Sequence, residues 1–144
     1  MIFSKPTSYA VRALVYLAQN RTNGAALAAD IARAEKLPAP FLSKLLRELS
    51  ANGVVSAVRG PGGGFILSKE PAEISLYDVF MLYDGLTLST ECLLGHGVCS
   101  DETACCVHQH WKPTKSSIEN FLRSTSIEDL VNMREDRRQR LLAG

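Results

Sequence analysis

A mainly helical chain with one small β-hairpin is the fold class that this 144-residue sequence predicts. Three observations carry the prediction. Apolar residues recur at helical spacing in three separate stretches before residue 53. Two short apolar runs, Val54, Val55 and Val58, then Phe65, Ile66 and Leu67, flank a glycine-rich loop. Helical spacing returns after residue 107 and carries more large apolar side chains than a small protein needs for itself.

Ala10, Ala13, Leu14, Leu17 and Ala18 mark one face of a first helix, with Thr7 or Ser8 as its expected cap. The turn signal Asn-Arg-Thr-Asn-Gly follows at residues 20–24. A two-turn helix comes next, with Leu27, Ile31 and Ala34 expected on its inner side. Lys-Leu-Pro-Ala-Pro at 36–40 breaks the chain. A third helix, about residues 39–51, carries the stripe Leu42, Leu45, Leu46 and Leu49 and stops at Asn52-Gly53. Two short helices after a longer one make a helix-turn-helix, and a hairpin directly after the third helix makes a wing. Residues 1–70 therefore read as a winged helix-turn-helix domain. The loop Arg59-Gly-Pro-Gly-Gly-Gly64 leads into a strand, which rules out a Walker or dinucleotide phosphate loop, since both lead into a helix.

Residues 71–144 read as a loop and dimerisation helices. Ser75 and Asp78 form a capping box for a short helix ending at Gly85. Val107, Trp111, Ile118, Phe121 and Leu122 mark a longer helix of about four turns, which Pro113 either begins or kinks. Its exposed apolar residues call for a partner, and antiparallel pairing with a second copy across a two-fold axis supplies one. Ser126 and Asp129 cap a last helix whose arginines form a solvated face.

Net charge is +1, but it is unevenly spread. Residues 1–70 carry nine Lys/Arg against four Asp/Glu, while 71–106 carry six acidic and no basic residues. A basic front half suggests a polyanion partner. No apolar run is long enough to span a membrane, and the first residues lack the features of a signal peptide, so a cytoplasmic protein is expected.

All four cysteines fall within residues 92–106, in the segment ECLLGHGVCSDETACCVHQHW. It lacks periodicity and reads as a loop. In a reducing compartment such a cluster points to metal binding or redox sensing before structural disulfides. Thiolates suit iron–sulfur clusters or zinc. Spacings of six and five residues are wide for zinc knuckles and let a loop wrap a larger object. A structural zinc or a cluster-free thiol switch is the alternative. Cys106 is the spare thiol, read as a small buried side chain or a substitute ligand. His96 is read as a loop residue and His110 as an exposed helix residue.

The run FLSKLLRELSANGVVSAVRGPGGGFILSK resembles the recognition helix and wing of the IscR- and NsrR-like bacterial repressors, the Rrf-two family. TSYAVRALVYLA resembles their first helix, and CLLGHGVCSDETACCVHQHWKP resembles their cluster-binding loop. The resemblance covers nearly the whole chain. It implies a dimeric winged-helix regulator, not an enzyme, whose dimerisation helix follows the cluster loop and whose DNA binding responds to an iron–sulfur cluster. It further implies Cys92, Cys99 and Cys105 as ligands, with His108 at the place of the IscR-like fourth ligand. The first spacing is one residue longer than in the best-known members. The NsrR-like branch takes an aspartate near the start of the partner's first helix; Ser8 stands at that place here, and no carboxylate lies within residues 1–29. The filled His108 position favours a [2Fe–2S] cluster, with [4Fe–4S] the other form.

For a partner of double-stranded DNA bearing a palindromic operator, the third helix enters the major groove, with Phe41, Ser43, Lys44 and Arg47 as its reading residues. Arg59, with Gly60, Gly62 and Gly63 at the narrow hairpin tip, enters the minor groove. In the IscR-like branch an acidic residue at the Ser43 place helps choose among sites; serine stands there in this chain, a departure from that pattern. Two rival readings remain: a cysteine–histidine enzyme, which lacks a visible third group, and a winged helix that binds only proteins.

Overall fold

The computed structural model describes residues 3–85 and 90–144. Its order is α1 (Lys5–Gln19), α2 (Ala28–Glu35), α3 (Ala39–Ala51), β1 (Val55–Val58), β2 (Gly64–Leu67), α4 (Leu76–Tyr83), α5 (His108–Ser124) and α6 (Ile127–Ala143). The fold is a winged helix followed by a helical extension, as the sequence predicts.

Helix α1 starts earlier than expected. Its cap is Ser4, whose side chain accepts from the Thr7 amide at 3.4 Å, and Pro6 sits in the first turn, where a missing N–H costs nothing. The expected caps, Thr7 and Ser8, lie inside the helix. The carboxylate of Asp84, beyond α4, accepts from the Ser4 amide and hydroxyl at 3.0 Å and from the Thr7 hydroxyl at 2.5 Å. A negative charge at this end complements the helix dipole.

The inner face of α2 differs from the expectation. Ile31, Ala32 and Glu35 are buried, whereas Leu27 and Ala34 are exposed. Leu27 is the N-cap, ahead of the first helical residue, so it does not share the helical phase of Ile31. Lys36 closes α2 in the left-handed conformation at φ 54°. Helix α3 then spans the predicted residues and buries Leu42, Leu45, Leu46 and Leu49.

Strands β1 and β2 pair antiparallel, with Val55 opposite Leu67 and Val58 opposite Gly64. A bridge between Ala26 and Phe65 ties the hairpin to the α1–α2 connection through amide bonds of 3.0 and 2.8 Å. At Gly64, φ is 139° and an added Cβ would lie 2.3 Å from the Ala26 carbonyl oxygen, so only glycine lets the bridge close.

Both predicted capping boxes form, at Ser75/Asp78 and at Ser126/Asp129. They lie side by side: the Leu76 amide donates to Thr125 and the Ile127 amide to Ile74, each at 2.9 Å. Pro113 lies inside α5 rather than at its start. Leu122, expected to await a partner, is 2% exposed and belongs to the chain's own core. Phe121 beside it is exposed. One continuous core joins Leu14, Leu46, Val79 and Ile127, so front and rear segments are packed together. Among the described residues, no helix is long and apolar enough to cross a membrane.

The arginines of α6 are not merely a solvated face. Arg134 Nη1 lies 2.9 Å from Glu35 Oε1, and Arg12 Nε lies 3.4 Å from Glu35 Oε2. Arg12 also donates to the Glu35 carbonyl. One buried carboxylate thus joins α1, α2 and α6, which answers the desolvation that would otherwise forbid its burial.

Candidate nucleic-acid interface and cysteine loop

The stripe of four leucines turns one face of α3 inward and leaves the other to solvent. On that outer face Lys44 is exposed, with only a 4.0 Å approach to Glu48. Arg47 is exposed and donates from Nε to the Ser43 carbonyl at 3.2 Å. Ser43 is half-buried. Phe41 is also half-buried, its ring edge-on to Tyr9 at 5.8 Å, so part of its apolar surface is occupied by α1. Arg59, Gly60 and Gly62 are exposed in the hairpin loop. The Gly63 amide donates to the Gly60 carbonyl at 2.9 Å, closing the turn. Gly60 and Gly62 take positive φ of 86° and 73°. At Gly63 an added Cβ would meet the Val58 carbonyl oxygen at 2.4 Å, so this glycine is needed for close approach rather than for its φ.

The segment from residue 91 to 107 is a loop, as expected, and it is ordered by its own hydrogen bonds. Glu91 bridges Val98, the Cys92 amide donates to Gly97 at 2.9 Å, and the Cys99 amide donates to Thr90 at 2.8 Å. The His108 amide donates to the Cys105 carbonyl at 3.0 Å as α5 begins. These turns gather the sequence-predicted ligands into two pairs. Cys92 Sγ lies 3.5 Å from Cys105 Sγ, and Cys99 Sγ lies 3.4 Å from His108 Nδ1. Among the described residues, no three His, Cys, Asp or Glu side chains are grouped to hold a single metal ion. Cys106 is exposed rather than buried, and Cys105 beside it is half-buried. His96 and His110 are exposed, as expected.

The electrostatics of the loop are set by neighbouring donors. Backbone N–H groups of Leu94 and His96, with smaller help from Cys105 and Gly95, pull the Cys92 thiol below its ordinary range. The Val107 amide pulls Cys105 the same way, but its sharing with Cys92, its burial and the nearby sulfurs outweigh that and push it up. His108 is 6% exposed. Its Nε2 lies 2.9 Å from Asp101 Oδ1, and Lys112 Nζ holds both Asp101 oxygens at 2.8 and 2.7 Å. Lys112 first, then His108, keep the Asp101 carboxyl below the usual carboxylate range. The indole N–H of Trp111, one turn after His108, is buried and has no partner among the described residues. In its chemistry the donor set fits an iron–sulfur centre: soft thiols and one imidazole, set as two pairs.

A family model described as an iron-dependent transcriptional regulator, Rrf2, matches residues 3–133. The chain belongs to the Rrf2 family of transcriptional regulators. A proposed HTH-type regulator of Aquifex aeolicus is 43% identical over 137 residues, 94% of each chain. The regulator IscR of Photorhabdus laumondii is 36% identical, covering 88% of this chain and 77% of that one. Among solved structures, T. potens IscR superposes with a TM-score of 0.75 at 28% identity, over 92% of this chain and 88% of that one. CymR, the global cysteine regulator of B. subtilis, superposes at 0.79 and 24% identity over 91% and 96%, a likeness of fold. As an Rrf2-family regulator the chain binds DNA, and its fold is the family's winged helix.

Sequence reasoning missed three features. Asp84 caps α1 across 80 residues of sequence, and no local pattern marks it. Glu35 is buried because two distant arginines meet it; a carboxylate at the i+4 position from Ile31 was the available signal. Asp101, seven residues before His108, sits in a loop where spacing carries no geometric meaning.

Proposed function

We propose that this chain is a cytoplasmic homodimeric repressor that reads a palindromic operator and whose DNA binding responds to a [2Fe–2S] cluster. The observation that carries the reading is the pairing of donors, Cys92 with Cys105 and Cys99 with His108, on the loop that leads into α5. Two irons each taking two protein ligands need such a set, whereas one zinc needs four donors about a single point. Cys92, Cys99, Cys105 and His108 would hold the cluster. When bound, it supplies one-electron chemistry and lability toward oxidants and nitric oxide.

Residues 1–70 form the DNA-reading unit in this reading, and residues 71–144 the loop and dimerisation helices. Helix α3 lies in the major groove with Lys44 and Arg47 on phosphates or guanine edges, Ser43 on a base and Phe41 at the rim. Arg59 and the tip glycines Gly60, Gly62 and Gly63 follow the minor groove. Exposed Phe121 on α5 and Met133 on α6 supply apolar surface for a second copy.

The test is fluorescence anisotropy on an operator selected from random duplex DNA, with cluster-loaded and cluster-free protein. The two states should differ at least tenfold in affinity. Lys44→Ala should weaken binding and lower the salt slope by about 1. Equal affinity in the two states would refute cluster control. Full binding by a Lys44, Arg47 and Arg59 triple alanine variant would refute the DNA interface.

A second reading rests on the 3.5 Å separation of Cys92 and Cys105. Without a cluster, a peroxide can oxidise the Cys92 thiolate to a sulfenic acid, which condenses with the Cys105 thiol to a disulfide and water. Iron and sulfide content separates the two readings.

A further inference from the structure

We propose that Asp101, anchored by Lys112, is a positioning residue that fixes the ring of His108 with its proton on Nε2 and its Nδ1 lone pair toward Cys99. The cluster assignment above lends it a purpose, but the proton placement is a property of the cluster-free chain.

The two ring nitrogens meet different neighbours. Nε2 faces Asp101 Oδ1 at 2.9 Å, and Nδ1 faces Cys99 Sγ at 3.4 Å. An ionised carboxylate can only accept, so the Nε2 side of this contact must donate. In the neutral ring the proton then sits on Nε2, and Nδ1 is left free to accept from a thiol or to bind a metal. The contact also fixes the ring about its own axis, because rotation would remove Nε2 from the carboxylate.

Lys112 makes the arrangement durable. It stands one helical turn after His108 and grips both oxygens of Asp101 at 2.8 and 2.7 Å. Two contacts from one ammonium hold the carboxylate in place against the His108 ring. As a stability device the Asp101–Lys112 pair has little value. Asp101 is 73% exposed and Lys112 55% exposed, and ion pairs so placed contribute almost nothing to folding. The consequence of the arrangement lies at the imidazole. Histidines that bind metals commonly donate their second N–H to a carboxylate, and losing that partner weakens metal retention roughly 10–100-fold.

The test is long-range proton–nitrogen NMR of the imidazoles in cluster-free protein, followed by the rate of cluster loss in protein reconstituted without oxygen. At a pH where its ring is neutral, wild-type His108 should show a slowly exchanging, downfield proton on Nε2 and an unprotonated Nδ1. Asp101→Ala should lose that proton to exchange while its thermal unfolding stays unchanged. It should also lose its cluster at least tenfold faster. A wild-type proton on Nδ1 overturns the proposal without need of any variant. So does an Asp101→Ala protein that keeps both the downfield proton and the wild-type cluster lifetime. An absence of iron from wild-type protein would remove the cluster reading and leave the proton placement standing.

Discussion

Gly64→Ala tests why the wing sits where it does. The new Cβ would lie 2.3 Å from the Ala26 carbonyl oxygen and 2.9 Å from the Leu27 amide nitrogen, both backbone atoms that cannot swing aside. Strand β2 must therefore move away and break the two amide bonds of the Ala26–Phe65 bridge. Each bond contributes about 1 kcal/mol net. The φ of 139° adds strain of order 1 kcal/mol for a residue with a side chain. The reduced entropy of the unfolded chain returns about 0.5 kcal/mol. The expected loss is therefore about 2–3 kcal/mol. Gly60→Ala is the internal control. It has a positive φ of 86° but no atom within 4 Å of the added Cβ. Its loss should stay at about 1 kcal/mol or below. Urea denaturation gives both values, and amide hydrogen exchange reports the bridge itself. The Phe65 and Ala26 amides should lose protection in Gly64→Ala and keep it in Gly60→Ala. Equal losses in the two variants, or intact protection in Gly64→Ala, would refute the packing argument.

Two further outcomes are expected. Arg134→Met leaves Glu35 with Arg12 alone, and because both arginines are about half exposed the loss should be about 1–2 kcal/mol in urea, well short of a fully buried pair; no loss would mean that the α2–α6 link is not formed. The Asp129 carboxyl is held below its ordinary range by the Ser126 amide and hydroxyl. Its contribution is present above the unfolded carboxyl's pKa and is lost as pH falls through the lower folded value, so the melting temperatures of wild type and Asp129→Asn should differ at pH 7 and converge on strong acidification.

Much of the front half was legible because helical and strand periods are local. Leu42, Leu45, Leu46 and Leu49 fix both the extent and the inner face of α3. Val55, Val58, Phe65 and Leu67 flank a glycine-rich turn, which marks the hairpin. Both serine–aspartate capping boxes are four-residue signals, and both formed. The errors came where a distant residue decides. Ser4, not Thr7, caps α1 with the help of Asp84. Leu122 was read as an unpartnered residue because nothing local reveals that it joins the chain's own core. In the loop, the cysteines and His108 were legible as a donor set from chemistry and family resemblance. Their division into pairs, and the Asp101–Lys112 support, lie in a loop, where spacing does not encode geometry.

Iron and acid-labile sulfide per chain, measured on protein purified without oxygen and read with its visible spectrum, test the central claim most directly. The account predicts two irons and two sulfides per chain, lost when Cys92, Cys99 or Cys105 becomes serine. No iron after anaerobic reconstitution, or zinc in its place, would contradict it and leave an Rrf2-family DNA-binding regulator whose loop works through its thiols or a structural metal.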